Sequence, residues 1–202
     1  MSLRVLFVVA HQDDILGLSG TIIRLRDAGY HISYICTTLS QYEYIEEPME
    51  PEEVAESLER EVRECRKLLG IKNYLNLGYE DGFYTYSEKT VKEMVKYFRE
   101  IRPDVVFTRW IGEYHPDHRN TALVVRRALI LSNYKYFRDG RSFAEATRIR
   151  GLYYWGGGDE PWLYDFRPNI YVDVSDLIDD IKRAYYAFKT VRNIDKGFER
   201  GL

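Results

Sequence analysis

The sequence predicts an α/β fold: a single Rossmann-like domain over residues 1–202, with a mostly parallel sheet and helices on both faces. Strand-sized apolar runs alternate with segments whose apolar residues recur every three or four positions, which is typical of βαβ units. The first run, residues 3–10, is nearly continuous in apolar residues, as in a strand buried on both faces. The chain has 202 residues, of which 45% are hydrophobic, and this is enough for a substantial core.

The first half of the chain supplies three strands, each followed by a helix. Residues 15–29 carry apolar residues at helical spacing and end in glycine, and residues 30–38 form the next strand. A second helix starts near Pro51, a favoured first-turn residue, and stops at Gly70. After a short strand at residues 74–77, Ser87 caps a helix that ends before Pro103.

The second half continues the alternation. Residues 104–108 form a buried strand, residues 118–131 a helix, and residues 151–155 and 170–174 two further strands. Ser175 caps a last helix, whose apolar residues extend to Phe188. Two segments do not follow the pattern, residues 39–50 and 156–167, and we interpret both as loops over a functional site.

Charge and cysteine content limit the class of protein. The net charge is −3, from 29 basic and 32 acidic residues, so no basic surface for nucleic acid is indicated. Cys36 and Cys65 lie at apolar positions and are interpreted as core residues. No stretch approaches the length of a membrane span and no secretory signal is apparent, so we expect a cytoplasmic protein. Aromatic residues, at 15%, offer stacking surfaces for a ring-shaped ligand.

Histidine and aspartate residues cluster after two of the predicted strands. His11, Asp13 and Asp14 follow the first strand, and the sequence His115-Pro116-Asp117-His118 follows the strand at 104–108. In an open α/β sheet the functional site lies at the carboxyl ends of the strands, so both clusters are expected at one site. Imidazole and carboxylate groups are ordinary zinc ligands, and a catalytic zinc takes three protein ligands and leaves a fourth position for water.

The spacing of these residues suggests a role for each. Donors three positions apart can converge on one ion, so His11 and Asp14 suit two zinc ligands and His118 completes the set. Asp13 is then free as a general base. A protonated His115 would donate to a developing oxyanion, and Asp117 lies close enough to orient a histidine.

These residues resemble the PIG-L or LmbE-like zinc-dependent N-acetylglucosaminyl deacetylases. Residues 10–14, Ala-His-Gln-Asp-Asp, are similar to the family's Ala-His-Pro-Asp-Asp motif, and residues 115–118 match its second motif in full. The resemblance implies zinc bound by His11, Asp14 and His118, Asp13 as the base and His115 as the oxyanion partner. It implies removal of the acetyl group from a small N-acetylated amino sugar or its glycoside. Asp81 matches a family aspartate that faces the substrate.

Four positions depart from the family pattern: Gln12 replaces proline, Ile15 glutamate, Leu58 arginine, and Tyr114 glycine. In the family these positions contact the sugar or shape the pocket, so the departures bear on the substrate and leave the metal ligands unchanged. We expect further substrate contacts from Arg109, Tyr114 and the loop at 156–167, where Trp162 and Tyr164 offer stacking faces.

Other readings compete with this one. A nucleotide-binding module is disfavoured because no Gly-x-Gly-x-x-Gly or phosphate-loop pattern follows the first strand. A magnesium phosphohydrolase using Asp13, Asp14 and Asp117 would leave three histidines without a role. Another zinc-dependent amidohydrolase and a non-catalytic metal-binding protein stay open, as does the formation of an oligomer.

Overall fold

The computed structural model describes residues 2–43, 45, 48–139, 146–156 and 163–190. Its strands are β1 (Arg4–Val9), β2 (His31–Thr38), β3 (Asn73–Tyr79), β4 (Val105–Arg109) and β5 (Gly151–Trp155). Its α-helices are α1 (Asp14–Asp27), α2 (Pro51–Leu69), α3 (Glu88–Ile101), α4 (Pro116–Ser132) and α5 (Ile178–Tyr185). Within the described residues, no helix has both the length and the apolar character needed to cross a membrane.

The strands form one parallel sheet in the order β3-β2-β1-β4-β5. The central strand β1 pairs with β2 on one side and β4 on the other, so Val5 lies between Ile32 and Val105. The chain therefore progresses outward from β1 in one direction through β2 and β3, and in the other through β4 and β5. The crevice where the direction reverses lies between the carboxyl ends of β1 and β4, the usual ligand position in such sheets.

Helices cover both faces of the sheet. Alternate residues of β1 point to opposite faces, so they join two different cores. Val5, Phe7 and Val9 join a core with buried residues of α1, α2 and α5. Leu6 and Val8 join a second core with buried residues of α3 and α4. The predicted fold class is thereby confirmed, and so is the burial of Cys36 and Cys65.

Several predicted helix ends are observed. Pro51 begins α2, and Gly70 ends it in the left-handed conformation at φ 75°. The left-handed conformation favours glycine at this position, and a Cβ there would also displace the Arg26 side chain, whose Cδ would lie 2.5 Å away. The Ser87 hydroxyl accepts a hydrogen bond from the Thr90 amide and caps α3.

Three expectations for the second half need correction. Helix α4 begins at Pro116 rather than at residue 118, because proline suits the first helical position. The predicted helix from Ser175 starts with a 3₁₀ turn (Ser175–Leu177), and α5 follows at Ile178. The predicted strand at residues 170–174 is wrong: these residues lie in no strand, and Tyr171 is 82% exposed. Their β-branched and aromatic composition favours a strand, but a strand also requires a pairing partner.

Candidate metal centre

Both predicted clusters lie in the crevice between β1 and β4. Residues 10–13 follow β1 directly, and residues 110–115 connect β4 to α4. His118 sits in the first turn of α4, which points its side chain back toward the end of the sheet. The parallel pairing of β1 and β4 therefore brings together histidines that are 107 positions apart in the sequence.

His118 lies close to both of the other predicted ligands. Nδ1 of His11 lies 2.9 Å from Nε2 of His118, and the same Nε2 lies 3.5 Å from Oδ2 of Asp14. All three residues are buried. Ligand atoms placed around a tetrahedral zinc at its usual bond lengths are separated by roughly 3.3 Å. These two distances fit donors around a divalent metal, whereas the group of three with metal-ligand spacing that contains both histidines has His115 as its third member. The choice of Asp14 as the third ligand stays a prediction.

His115 is an alternative to Asp14 as the third metal ligand. One ligand atom from each of His11, His115 and His118 lies within 4.8 Å of the others. The Asp117 amide donates to Nδ1 of His115 over 3.3 Å, so the neutral ring carries its proton on Nε2. Burial and the nearby His11 and His118 lower the pKa of His115, which favours this neutral form. A neutral His115 can still donate from Nε2, so the predicted protonated form is not required for that role.

Carboxylates hold the outer nitrogen of His11. Its Nε2 lies 3.0 Å from Oδ1 of Asp81 and 3.5 Å from Oδ2 of Asp117. Burial lowers the pKa of His11, but hydrogen bonds to Asp117 and Asp81 outweigh this and raise the pKa well above its ordinary value. A proton held on Nε2 directs the Nδ1 lone pair toward a metal once Nδ1 is deprotonated.

The two carboxylates differ in their other contacts. Asp117 also accepts from the amides of Gly82 (2.6 Å) and Tyr84 (3.1 Å), which fixes its orientation. Asp81, predicted to face the substrate, bonds to His11 and to the Tyr42 amide. The structure therefore gives Asp81, like Asp117, a contact that orients a histidine. His11, Asp81 and Asp117 form a second group with metal-ligand spacing.

Asp13 stands at the start of α1, where its carbonyl accepts from the Leu16 amide. Its carboxylate makes no capping hydrogen bond to the helix. Burial and the carboxylates of Glu43 and Asp14 raise the pKa of Asp13 to about 8. A divalent cation beside Asp14 would act in the opposite direction and favour the ionised form.

Arg109, at the end of β4, is engaged within the centre. Its Nε donates to Nδ1 of His118 over 3.3 Å and lies 3.7 Å from Oδ1 of Asp14. Its guanidinium group lies 4.2 Å from the centre of the Trp155 ring, a cation–π contact. Arg109 was predicted to bind substrate; the contacts observed are with the candidate ligands.

Sequence reasoning missed Glu113. Its side chain is buried, and Oε2 lies 3.6 Å from both Nδ1 of His118 and Nε of Arg109. Burial raises the pKa of Glu113, but His118 and Arg109 outweigh it, so the pKa falls below its usual value. The only sequence signal was its position two residues before the second motif.

The described parts of the two predicted loops contact the site. The side-chain Nε2 of Gln12 donates to the Leu39 carbonyl, and the backbone amide of Gln12 donates to the Ser40 hydroxyl. These two hydrogen bonds join the first motif to the loop after β2. Two other departures from the family pattern, Ile15 and Leu58, lie in the core shared by α1 and α2.

Hydrogen bonds hold the described part of the loop at 156–167 next to the turn that contains Glu113. The Tyr164 amide donates to the Gly112 carbonyl over 3.0 Å, and Nε1 of Trp110 donates to the Tyr164 carbonyl over 2.8 Å. A Cβ at Gly112 would lie 2.5 Å from that same carbonyl oxygen, so the close approach requires glycine. The side chain of Tyr164 is 66% exposed, and Tyr114 is also exposed beside His115. Trp162 lies outside the described residues.

A cavity of about 980 Å³ lies beside β5, away from the candidate ligands. Its lining residues include Gly17, Trp110, Trp155, Phe166, Tyr171 and Tyr185. The chemistry indicated by the histidines and aspartates is therefore not located in this cavity.

Comparison with known proteins gives consistent results. The family model described as PIG-L, GlcNAc-PI de-N-acetylase, matches residues 6–129. Diacetylchitobiose deacetylase of Thermococcus kodakarensis is 28% identical over 185 residues, which cover 90% of this chain and 67% of that protein. A probable N-acetyl-alpha-D-glucosaminyl L-malate deacetylase 2 of Bacillus anthracis is 31% identical over 134 residues, which cover 62% of this chain and 58% of the relative.

A solved structure is similar over a larger share of this chain than the two relatives above. The N,N′-diacetylchitobiose deacetylase from Pyrococcus horikoshii, in complex with its inhibitor MPG, superposes with a TM-score of 0.81 at 28% identity. The match covers 98% of this chain and 74% of that one. The likeness extends beyond the residues that the family model matches, to β5 and α5.

Proposed function

The chain belongs to the PIG-L, GlcNAc-PI de-N-acetylase, family, and we propose that it is a zinc-dependent hydrolase that removes the acetyl group from an N-acetylated amino sugar or its glycoside. The family relationship confirms the resemblance drawn from the two motifs. Two relatives named as diacetylchitobiose deacetylases support an amino-sugar substrate. The zinc ligands we propose are His11, Asp14 and His118.

One observation carries the proposal: Nδ1 of His11 and Nε2 of His118 approach to 2.9 Å, with Oδ2 of Asp14 3.5 Å from the latter. Two imidazoles and one carboxylate are a donor set suited to zinc, whereas magnesium and calcium prefer oxygen ligands alone. When bound, zinc would acidify a water molecule and polarise the amide carbonyl.

The chain's own residues account for the proton transfers. Asp13 accepts a proton from the attacking water as its oxygen bonds to the acetyl carbon. His115 donates a hydrogen bond from Nε2 to the carbonyl oxygen as negative charge develops there. Asp13 then delivers its proton to the leaving nitrogen as the C–N bond breaks. Amide and water are thereby converted into acetate and the free amino sugar.

The experiment combines metal analysis with a substrate panel. Purified protein would be assayed for bound zinc and for release of acetate from N-acetylglucosamine, its glycosides and N,N′-diacetylchitobiose. We expect one zinc per chain and turnover of at least one amino sugar. Zinc with turnover of a different amide would support another zinc amidohydrolase, and zinc without any turnover would support a non-catalytic metal-binding protein. The cytoplasmic location, the absence of a nucleic-acid partner and the oligomeric state stay predictions.

A further inference from the structure

Glu113 carries a buried oxygen for which the chemistry described so far has no use. The residue is 2% exposed, and among the described residues its Oε2 has no hydrogen-bond partner. A buried, unsatisfied carboxylate oxygen is unfavourable, since the group has lost water without gaining a donor. The nearest donors are Nδ1 of His118 and Nε of Arg109, each 3.6 Å away.

Nδ1 of His118 thus faces two groups of opposite character. Arg109 can only donate, so it pairs with His118 when Nδ1 is bare and the ring proton is on Nε2. Glu113 can only accept when ionised, so it pairs with His118 when the proton is on Nδ1. The ring proton therefore determines which of the two groups His118 contacts.

Metal binding selects between these forms. A neutral histidine that binds through Nε2 must carry its proton on Nδ1. In that form the Nδ1–H of His118 and the Nε–H of Arg109 are both donors and cannot bond to each other. The Nδ1 proton therefore needs an acceptor, and Oε2 of Glu113 is the acceptor within reach. The proton moves within one imidazole ring, so no net proton is gained or lost in this choice.

We propose that Glu113 is a positioning residue that accepts the Nδ1 proton of His118 and so holds Nε2 ready to bind zinc. This inference rests on the proposed zinc site. Each histidine ligand then has a buried carboxylate behind it: Asp81 at Nε2 of His11 and Glu113 at Nδ1 of His118. Arg109, between Glu113 and Asp14, balances their negative charges.

The backbone around Glu113 fixes its position. Its amide donates to the Trp110 carbonyl over 3.2 Å, and the residue pairs with Leu163 in an isolated antiparallel bridge. The backbone that carries the carboxylate is therefore held both by the turn after β4 and by the loop that crosses it. Such support suits a group that orients a ligand, because an acceptor free to move would not select one form of the ring.

The test compares zinc affinity in three variants. Zinc dissociation constants would be measured by competition with a chromogenic chelator for the unmodified protein, Glu113→Ala, Glu113→Gln and the control Glu93→Ala. Glu93 is a partly buried glutamate whose Oε2 accepts from the Tyr79 hydroxyl, away from the centre. We expect Glu113→Ala to weaken zinc binding about 10- to 100-fold. Glu113→Gln should weaken binding less, since its amide oxygen can still accept, and Glu93→Ala should leave it unchanged.

Two further measurements separate positioning from stability. Thermal unfolding of the metal-free proteins identifies any variant that is merely unstable; if Glu113→Ala does not fold, Glu113→Gln carries the comparison. Nitrogen-15 spectra of the histidine rings in the zinc-loaded protein should show His118 protonated at Nδ1. Unchanged zinc affinity in folded Glu113 variants overturns this proposal alone. A His118 ring protonated at Nε2 in the zinc-loaded protein overturns it together with the assignment of His118 as a ligand. Failure of the unmodified protein to bind zinc overturns the proposed function and this inference together.

Discussion

The two histidines that face each other in the centre do so through different ring nitrogens. His11 uses Nδ1, the nitrogen nearer its backbone, and His118 uses Nε2, the farther one. The position of the His11 donor is therefore determined by the turn between β1 and α1, whereas His118 reaches inward from a helix. Oδ2 of Asp14 accepts from the amides of Ala10 and His11, which holds that turn closed.

The residues of the first motif should separate metal binding from catalysis. Asp13→Asn is nearly isosteric, but its amide cannot take a proton from water, so we expect turnover to fall by about 100- to 10,000-fold. Zinc content should remain near one per chain. Acetate release and metal analysis on the same sample test this, and near-normal turnover by a zinc-loaded variant would identify another group as the base.

The third metal ligand can be identified by substitution, since the structure brings both Asp14 and His115 close to the histidine pair. We expect His118→Ala and Asp14→Ala to lose most of the zinc, and His115→Ala to retain it while losing activity. Metal analysis after gel filtration gives the occupancy of each variant. Zinc loss in His115→Ala, with retention in Asp14→Ala, would reverse the assignment of these two residues.

At the level of the elements, the periodic helices and continuous strands were predictable, and their ends were less so. The apolar run at residues 3–10 predicts a strand buried on both faces, and β1 lies within that run. Pro116 belongs to the second motif and also begins α4, so the helix starts two residues before its predicted position. The contact between Glu113 and His118 depends on how the turn after β4 folds, which no spacing rule specifies.

Within the loop at 156–167, Tyr164 provides a test of the predicted substrate contact. Its backbone makes the hydrogen bonds, and its ring is 66% exposed, so Tyr164→Ala should leave fold and zinc content intact. If the ring packs on the sugar, KM should rise roughly two- to tenfold, the range expected for one aromatic contact. Tyr136→Ala is the matched control, because Tyr136 is 78% exposed beyond the far end of α4. Equal KM values for both variants would remove Tyr164 from the substrate site.

The cysteines of β2 and α2 should be protected by folding. Burial raises the pKa of Cys65 to about 12 and that of Cys36 well above its ordinary value. Because the folded-state pKa values are raised, their contribution to stability is complete below about pH 8.5 and is lost as pH rises toward 12. Alkylation at pH 8 should therefore modify neither thiol until denaturant is added, as mass spectrometry would show. Rapid modification of the native protein would contradict this.

At the level of the whole molecule, bound zinc should join the two halves of the sheet. The proposed ligands follow β1 and β4, so zinc held by them would bind the folded state in preference to the unfolded chain. At a free zinc concentration 100 times the dissociation constant this adds about 2.7 kcal/mol of stability, and the melting temperature rises by roughly 5–11 °C. Calorimetry with and without a chelator measures the difference. His118→Ala should show no chelator effect, and an effect as large as in the unmodified protein would point to zinc bound elsewhere.

The sheet order also has a consequence for the chain during its synthesis. His11 and Asp14 leave the ribosome before His118, which follows 107 residues after His11. The growing chain therefore carries two of the three proposed zinc ligands until β4 has paired with β1 and α4 has begun. An incomplete ligand set holds zinc weakly, so metal capture becomes a late event that reports on completed folding of the sheet centre.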